Sequence, residues 1–129
     1  MRGTVECIDQ VHFYIDLVNQ RLGLHLDIPT ISFSLRGSVS GRASGRQNRL
    51  YFNPILLDEN PEKFVRQTVG HEVAHLASFR KFGSRIDPHG IEWARIMRAV
   101  DLPPYRCHNY DTSTVSGARS KMLCREVLE

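Results

Sequence analysis

The feature that most constrains the fold is a predicted helix with two neighbouring apolar faces. Asn60 can cap this helix, Pro61 suits its first position, and it ends near Phe82 and Gly83. One face carries Val65, Val69, Val73 and Leu76, and the next carries Phe64, Thr68, His71, His75 and Phe79. A helix of this kind is expected to lie at the centre of a domain, with the other elements packed around it.

The same helix contains the sequence HEVAH, in which His71 and His75 are four residues apart. Positions i and i+4 lie one turn apart on one helix face, so both imidazoles could reach one metal ion. Glu72 would lie beside that ion, where a general base is needed to activate a metal-bound water. The alternative is two histidines satisfied by hydrogen bonds beside a solvated glutamate. That alternative is disfavoured, because burying three such groups without a metal would be unfavourable.

A catalytic zinc site usually has three protein ligands, so a third ligand has to come from elsewhere. One extended form of the motif would place glycine and histidine where this chain has Ser78 and Lys81, which excludes that form. Downstream, His89 and Glu92 fall at i and i+3 on a further predicted helix that Pro88 would start. Its core face is Trp93, Ile96, Met97 and Val100. Either residue could complete the site, and the position of His89 at the helix start favours histidine.

The remaining sequence predicts an α+β fold around the central helix. Residues 5–22 carry apolar side chains at helical spacing and are followed by Gly23, a plausible stop. Residues 31–37 alternate apolar and polar side chains, as a half-buried strand does, and residues 49–53 form a second predicted strand. Residues 38–48 between them are rich in serine and glycine, which predicts a turn or a flexible loop.

Length and composition indicate one domain in a reducing compartment. The chain has 129 residues, 41% of them hydrophobic, which is enough for a single core. No apolar run is long enough to span a membrane, and Glu6 and Asp9 interrupt the start where a signal peptide needs apolar residues. The three cysteines, Cys7, Cys107 and Cys124, follow no tight pattern, which argues against a disulfide scaffold. A cytoplasmic protein is the natural interpretation.

Fourteen of the 17 basic residues are arginine, and four of these fall between positions 36 and 49 without an acidic residue among them. They are Arg36, Arg42, Arg46 and Arg49. Guanidinium groups suit phosphate oxygens, so this segment is a candidate for weak contact with DNA. The alternative is a solvated hairpin whose charges keep the protein soluble, because the patch is small for a nucleic-acid footprint.

Together these motifs resemble the SprT-like family, which includes bacterial SprT proteins and the Spartan proteases of DNA–protein crosslinks. HEVAHL followed by a short loop and HGIEW is similar to the paired motifs of that family. RLYFNPILLDENPEKFVRQTVGHEVAH and RCHNYD also resemble its flanking segments, so the likeness covers about residues 30–125. It implies a compact zincin-like metalloprotease domain. A small, mostly antiparallel sheet would pack against an N-terminal helix and the central helix, and a further helix would carry the third ligand.

The resemblance also implies the cofactor, the site and the reaction. One zinc ion per chain would be held by His71, His75 and His89, with Glu72 as the general base, which leaves Glu92 second as a ligand. The implied enzyme is a peptide hydrolase acting on DNA-associated proteins, with a role in DNA repair. Its partners would be a protein or peptide substrate and DNA, with no membrane.

The C-terminal segment both resembles the family and departs from it. His108 resembles a histidine found at this place in the family and could stabilise an oxyanion. Many bacterial members continue into a zinc ribbon, whereas here no C-x-x-C follows Cys124, so no second metal site is expected. Cys107 and Cys124 are expected to be inert thiols. We therefore interpret the chain as a single domain, 1–129, with a core of about 5–112 and a tail, 113–129, that is a ribbon remnant.

Three functions stay open on the sequence: a zinc metallopeptidase, a non-proteolytic zinc-binding module associated with nucleic acid, and a zinc-stabilised structural domain. Glu72 argues against the third, because a purely structural site has no use for a base. In the first, an extended substrate would pair with an exposed edge strand, for which RLYFN (49–53) is the candidate.

Overall fold

The computed structural model describes residues 2–104, apart from the side chains of Arg2 and Arg66. Its elements are α1 (Arg2–Leu22), β1 (Thr30–Ser32), β2 (Gly41–Ser44), β3 (Arg49–Phe52), α2 (Pro54–Glu59), α3 (Pro61–Lys63), a π-helical segment (Phe64–Val69), α4 (Gly70–Phe82) and α5 (Ile91–Ala99). Helices packed on a small sheet confirm the predicted α+β class. The predictions for Cys107, His108, Cys124 and the tail, 113–129, lie outside the described residues.

The sheet has the strand order β1-β3-β2. Strand β1 runs parallel to β3, with Thr30 opposite Arg49, and β2 runs antiparallel to β3, with Gly41 opposite Phe52. The sheet is therefore mixed, where a mostly antiparallel one was expected. The prediction that RLYFN is an edge strand is wrong, because β3 is paired on both sides and lies at the centre. Among the described strands, the edges are β1 and β2.

Strand β2 lies inside the segment that was predicted to be a loop. Its small residues allow it to lie directly against the central helix. A β-carbon placed on Gly41 would come within 2.7 Å of Thr68 Cγ2 and 2.9 Å of Glu72 Cγ. One placed on Gly45, just after the strand, would collide with the ring of Phe79. Glycine here serves close strand–helix packing, which composition alone cannot distinguish from a loop.

Strand β1 is shorter than its alternating sequence predicts. The regular ladder ends at Ser32, although the backbone N–H of Leu35 still donates to the carbonyl of Phe52 at 3.2 Å. The segment then turns at Gly37, whose φ of 77° lies in the left-handed region that favours glycine.

A short helix that the sequence analysis missed, α2, ties the sheet to the central helix. Asn53 caps it, because its side-chain oxygen accepts from the N–H groups of Ile55 at 3.0 Å and Leu56 at 3.2 Å. The amide group of Asn53 also donates to the carbonyls of Gly37 at 2.9 Å and Val39 at 3.1 Å. One buried side chain thereby holds the approach to β2 and the start of α2 together.

The predicted central helix is present, from Pro61 to Phe82, and it ends where Gly83 adopts a φ of 80°. Two details differ from expectation. Asn60 precedes the helix but makes no side-chain cap, and its amide instead donates to the carbonyl of Leu56 at 3.0 Å. The turn before α4 is π-helical, a widening that is frequent at functional sites.

The core lies between the sheet, α1, α4 and α5. Its largest fully buried side chains are Ile15, Leu50, Phe52, Leu56, Leu57, Phe64, Glu72, Leu76, Trp93, Ile96 and Met97. Cys7 belongs to this core, and its burial raises the pKa of the thiol to about 12, so it stays protonated at neutral pH. None of the helices in the described part is both long and apolar enough to cross a membrane.

Candidate metal centre

Two of the candidate ligands lie on the buried stretch of α4. His71 is 2% exposed and His75 is 5% exposed. Their rings face each other edge to face, with centroids 4.6 Å apart, as side chains one helical turn apart should. The structure therefore places the HEVAH motif as the sequence predicts, on a helix and away from bulk water.

The third histidine does not lie on a helix, which corrects the expectation that α5 carries it. His89 comes two residues before α5 begins, in a turn that Asp87 organises. The carboxylate of Asp87 accepts from the backbone N–H of His89 at 3.0 Å, and its carbonyl accepts from the N–H of Gly90 at 3.1 Å. These bonds fold the chain back before the first helical bond forms, so the ring of His89 points towards α4.

The three imidazoles converge on one point. The Nε2 atom of His89 lies 3.1 Å from Nε2 of His71 and 3.1 Å from Nε2 of His75. One Nε2 atom has a single proton or a single in-plane lone pair, so a hydrogen bond can account for one of these approaches but not for both. A cation accounts for both. Nitrogen ligands about 2.0–2.1 Å from a tetrahedral ion are separated by about 3.3 Å, close to the observed spacing.

The donor set therefore fits a transition-metal ion. Among the described residues, the group of side chains able to hold one is His71, His75 and His89, with candidate ligand atoms within 4.8 Å of one another. Glu92, the alternative ligand considered above, lies half-buried in the first turn of α5 and is not in that group. Three neutral imidazoles suit zinc and several of its neighbours in the first transition row.

Trp93 packs against the rings of all three histidines. It is fully buried, as predicted for a core residue, but it also contacts each ring of the cluster. Its ring centroid lies 4.8 Å from that of His71, 5.5 Å from that of His75 and 5.1 Å from that of His89. Since Trp93 is the only tryptophan of the chain, its fluorescence should report directly on metal binding.

Glu72 occupies the confined space between α4 and β2. It is fully buried, and the backbone of Gly41 leaves it little room, because a β-carbon there would lie 3.0 Å from its Oε2. Thr68 also lies against Gly41, and its hydroxyl group donates to the hydroxyl oxygen of Ser40 at 3.1 Å. Close packing restricts the directions in which the Glu72 carboxylate can point. A fixed carboxylate next to a ligand is what a general base requires.

The four arginines do not form a single cluster. Arg42 and Arg49 project on the outer face of the sheet beside Tyr51, with guanidinium carbons 4.3 Å and 5.9 Å from the centre of its ring. Arg36 lies beyond the last bond between β1 and β3, and Arg46 lies in the turn between β2 and β3, at the other end of the sheet.

Three contributors to the site escaped the sequence analysis: Gly41, Asp87 and the contacts of Trp93 with the histidines. Signals for the first two exist in the sequence. GRASG places small residues at alternate positions, as a strand under close packing requires, and DPHG is a turn sequence around the third histidine. The contacts of Trp93 depend on how α5 packs on α4, and no local pattern encodes that.

The fold and the site together define a small α+β domain with a three-histidine candidate metal centre and a buried glutamate that follows one of these histidines in the sequence. The SprT-like family model matches residues 11–113, and the chain belongs to that family.

Its relatives named Protein SprT include those of Pseudomonas fluorescens, 52% identical over 97 residues, and of Pseudomonas putida and Pseudomonas syringae pathovar tomato, each 57% identical over 97 residues. Each match covers 74% of this chain and 59% of the relative. The chain therefore spans less than two thirds of the length of these curated relatives. No solved structure matches it.

The first prediction concerns the ligands. His89→Ala should weaken metal binding by more than roughly 10–100-fold, which is the loss expected when a residue that only hydrogen-bonds to a ligand is removed. Glu92→Ala, the matched control from the adjoining helix, should leave metal content near one ion per chain, because Glu92 is outside the cluster. Metal analysis and titration of Trp93 fluorescence measure both. The ligand assignment is wrong if Glu92→Ala empties the site and His89→Ala leaves it full.

Proposed function

We propose that this domain is a zinc-dependent metallopeptidase that hydrolyses peptide bonds in DNA-associated proteins, including proteins crosslinked to DNA. The observation that carries the proposal is a buried carboxylate, Glu72, adjacent in sequence to a ligand of a three-histidine cluster. A structural metal site needs no base, whereas a hydrolytic one needs a carboxylate next to its metal ligands. Membership of the SprT-like family supports the same conclusion.

The residues divide the reaction between them. His71, His75 and His89 would hold the ion, and three protein ligands are the number typical of catalytic zinc sites. Such an ion, when bound, lowers the pKa of water and polarises the scissile carbonyl. Glu72 takes the proton from the attacking water and returns it to the leaving amine. Packing between Thr68 and Gly41 keeps Glu72 in place for both transfers.

Zinc is the proposed metal because of the donor chemistry. The described candidate ligands are three imidazoles and no thiolate. Imidazole nitrogen is intermediate between hard and soft donors, and zinc binds such donors in tetrahedral geometry. Zinc also has no redox chemistry, which suits hydrolysis.

An extended substrate would pair with β2, because β3 lies at the centre of the sheet and has no free edge. Strand β2 is the sheet edge that packs against the helix bearing His71 and His75. Peptide recognition by strand addition uses main-chain hydrogen bonds, so it favours extended or unfolded substrates and imposes little sequence preference by itself.

DNA contact is proposed at the outer face of the sheet. No acidic residue occurs from position 28 to position 57, so the whole sheet carries only positive formal charge. Arg42 and Arg49 beside Tyr51 combine cations with an aromatic surface, a combination that suits a nucleic-acid strand. A weak contact of this kind would bring the enzyme to proteins held on DNA.

The second prediction tests catalysis by Glu72. Glu72→Gln keeps the size of the side chain and leaves the three histidines intact, so metal content and folding should survive. Cleavage of a DNA-binding protein should fall by roughly 10²–10⁴-fold, the contribution of a positioned general base. Glu92→Gln is the matched control and should retain the wild-type rate. Rates are compared by electrophoresis at equal zinc loading, with and without DNA.

Equal rates for wild type and Glu72→Gln would contradict the peptidase proposal. The non-proteolytic zinc-binding module would then be the better account of the same metal centre.

The third prediction tests the DNA contact. Replacing Arg36, Arg42, Arg46 and Arg49 together by glutamine should weaken DNA binding and flatten its salt dependence. Each lost contact with a duplex phosphate lowers the slope of log K against log salt by about 0.9. The control replaces four exposed arginines elsewhere, Arg80, Arg85, Arg95 and Arg98, for the same loss of charge. Fluorescence anisotropy across salt concentrations measures both slopes. Equal slopes for the two variants would show that the sheet has no special role.

A further inference from the structure

A cavity of about 160 Å³ lies next to the metal centre and is used by no part of the mechanism above. It is bounded by β2, by the second half of α4 and by the loop that leads from α4 to His89. The lining residues that define its character are Ala43, His75, Ser78, Phe79, Ile86 and Pro88.

The cavity adjoins the metal centre at His75, which is one of its lining residues. The Nε2 atom of His75 also lies 3.1 Å from Nε2 of His89. A group seated in the cavity would therefore be in contact with one of the ligands. For a peptide whose scissile bond lies at the metal, that group is the side chain of a residue flanking the bond.

The lining selects an apolar group. Ala43, Phe79, Ile86 and Pro88 supply apolar side chains, and the polar side chains of the lining are those of His75, Ser78 and Ser84, none of them a carboxylate or an amine. Among the described residues, the lining contains no lysine, arginine or carboxylate. A charged side chain would lose its hydration there without gaining an ionic partner, whereas an apolar one would gain by leaving water.

The size of the cavity limits the choice further. A cavity of about 150 Å³ lined by aliphatic and aromatic side chains is known to bind benzene. The space beside His75 is of the same order, so it fits a leucine, methionine or phenylalanine side chain.

Two local features create the space. Ala43 contributes only a methyl group where β2 crosses α4, so a larger residue would fill the gap from the strand side. On the other side, Gly83 ends α4 with a φ of 80° and sends the chain around the cavity, which brings Ile86 into its wall. Ala43 from the strand and Ile86 from the loop therefore both help to set its dimensions.

We propose that this cavity is a substrate subsite that binds an apolar side chain, the size of leucine, methionine or phenylalanine, from a residue flanking the cleaved bond. This inference rests on the proposed peptidase function and names its substrate class more narrowly. Strand addition to β2 would supply affinity for extended chains in general, and the cavity would choose the position of cleavage along them.

The test is cleavage-site profiling of a peptide library by mass spectrometry, with Glu72→Gln as the blank. Leucine, methionine and phenylalanine should be enriched at one position flanking the cleaved bond. Aspartate, glutamate and lysine there should lower kcat/KM by on the order of tenfold or more. Ala43→Leu should shift the preference to smaller residues, and Ile86→Ala should shift it to larger ones. Ile28→Ala, an isoleucine 49% exposed and outside the lining, is the control and should keep the wild-type profile.

Folding is checked by metal content and circular dichroism. Because Ala43 is buried, Ala43→Leu could destabilise the domain, and the half-buried Ile86 then decides the question alone. Cleavage that depends on Glu72 but shows no preference at either flanking position would overturn the subsite and leave the peptidase standing. A side-chain preference that Ile86→Ala leaves unchanged would also overturn the subsite.

A binding experiment covers the case in which the wild type cleaves nothing and the proposed function fails. Zinc-loaded Glu72→Gln protein is titrated by calorimetry with two peptides that differ only by leucine or aspartate at one position. Tighter binding of the leucine peptide, reduced by Ala43→Leu, supports an apolar site at the cavity. Equal binding of the two peptides refutes it.

Discussion

The convergence of three imidazole nitrogens, with Nε2 of His89 3.1 Å from each of the other two, is the constraint on which the structure depends. Imidazole rings brought together this closely at a largely buried site are best accounted for by a common partner, and a metal ion would supply one. The surrounding elements produce this convergence. Helix α4 is buried by its two apolar faces and so carries His71 and His75 into the interior, Trp93 packs against all three rings, and Asp87 folds the chain so that His89 can reach them.

Strand β2 links the chemistry of the centre with its selectivity. Gly41 gives Glu72 a confined place, Ala43 borders the cavity beside His75, and Gly45 allows the backbone to approach Phe79. These alternate residues, two in the strand and one just after it, all face the central helix. A larger side chain at position 41 would displace Glu72, the proposed base, and one at position 43 would fill the proposed substrate cavity. Under the proposed function, the small residues of this segment therefore serve the reaction as well as the packing.

The sequence predicted those parts of the fold that local periodicity encodes. Helix α1, the central helix with its end at Gly83, and strand β3 were all predicted from spacing and turn residues. The three histidines that the structure brings together were all candidates on the sequence, where the position of His89 favoured it over Glu92 and the family resemblance settled the choice. Parts decided by tertiary contacts were missed. Strand β2 looked like a loop because its glycines serve packing, and β3 became central only through pairing with distant segments.

X-ray absorption spectroscopy of the metal that co-purifies with the chain would reveal the coordination shell itself. We expect zinc with three imidazole ligands, with nitrogen at about 2.0–2.1 Å and the multiple scattering that histidine rings produce. Light-atom scattering alone should complete the coordination shell. A sulfur ligand at about 2.3 Å, or a shell with fewer than three imidazoles, would contradict this expectation.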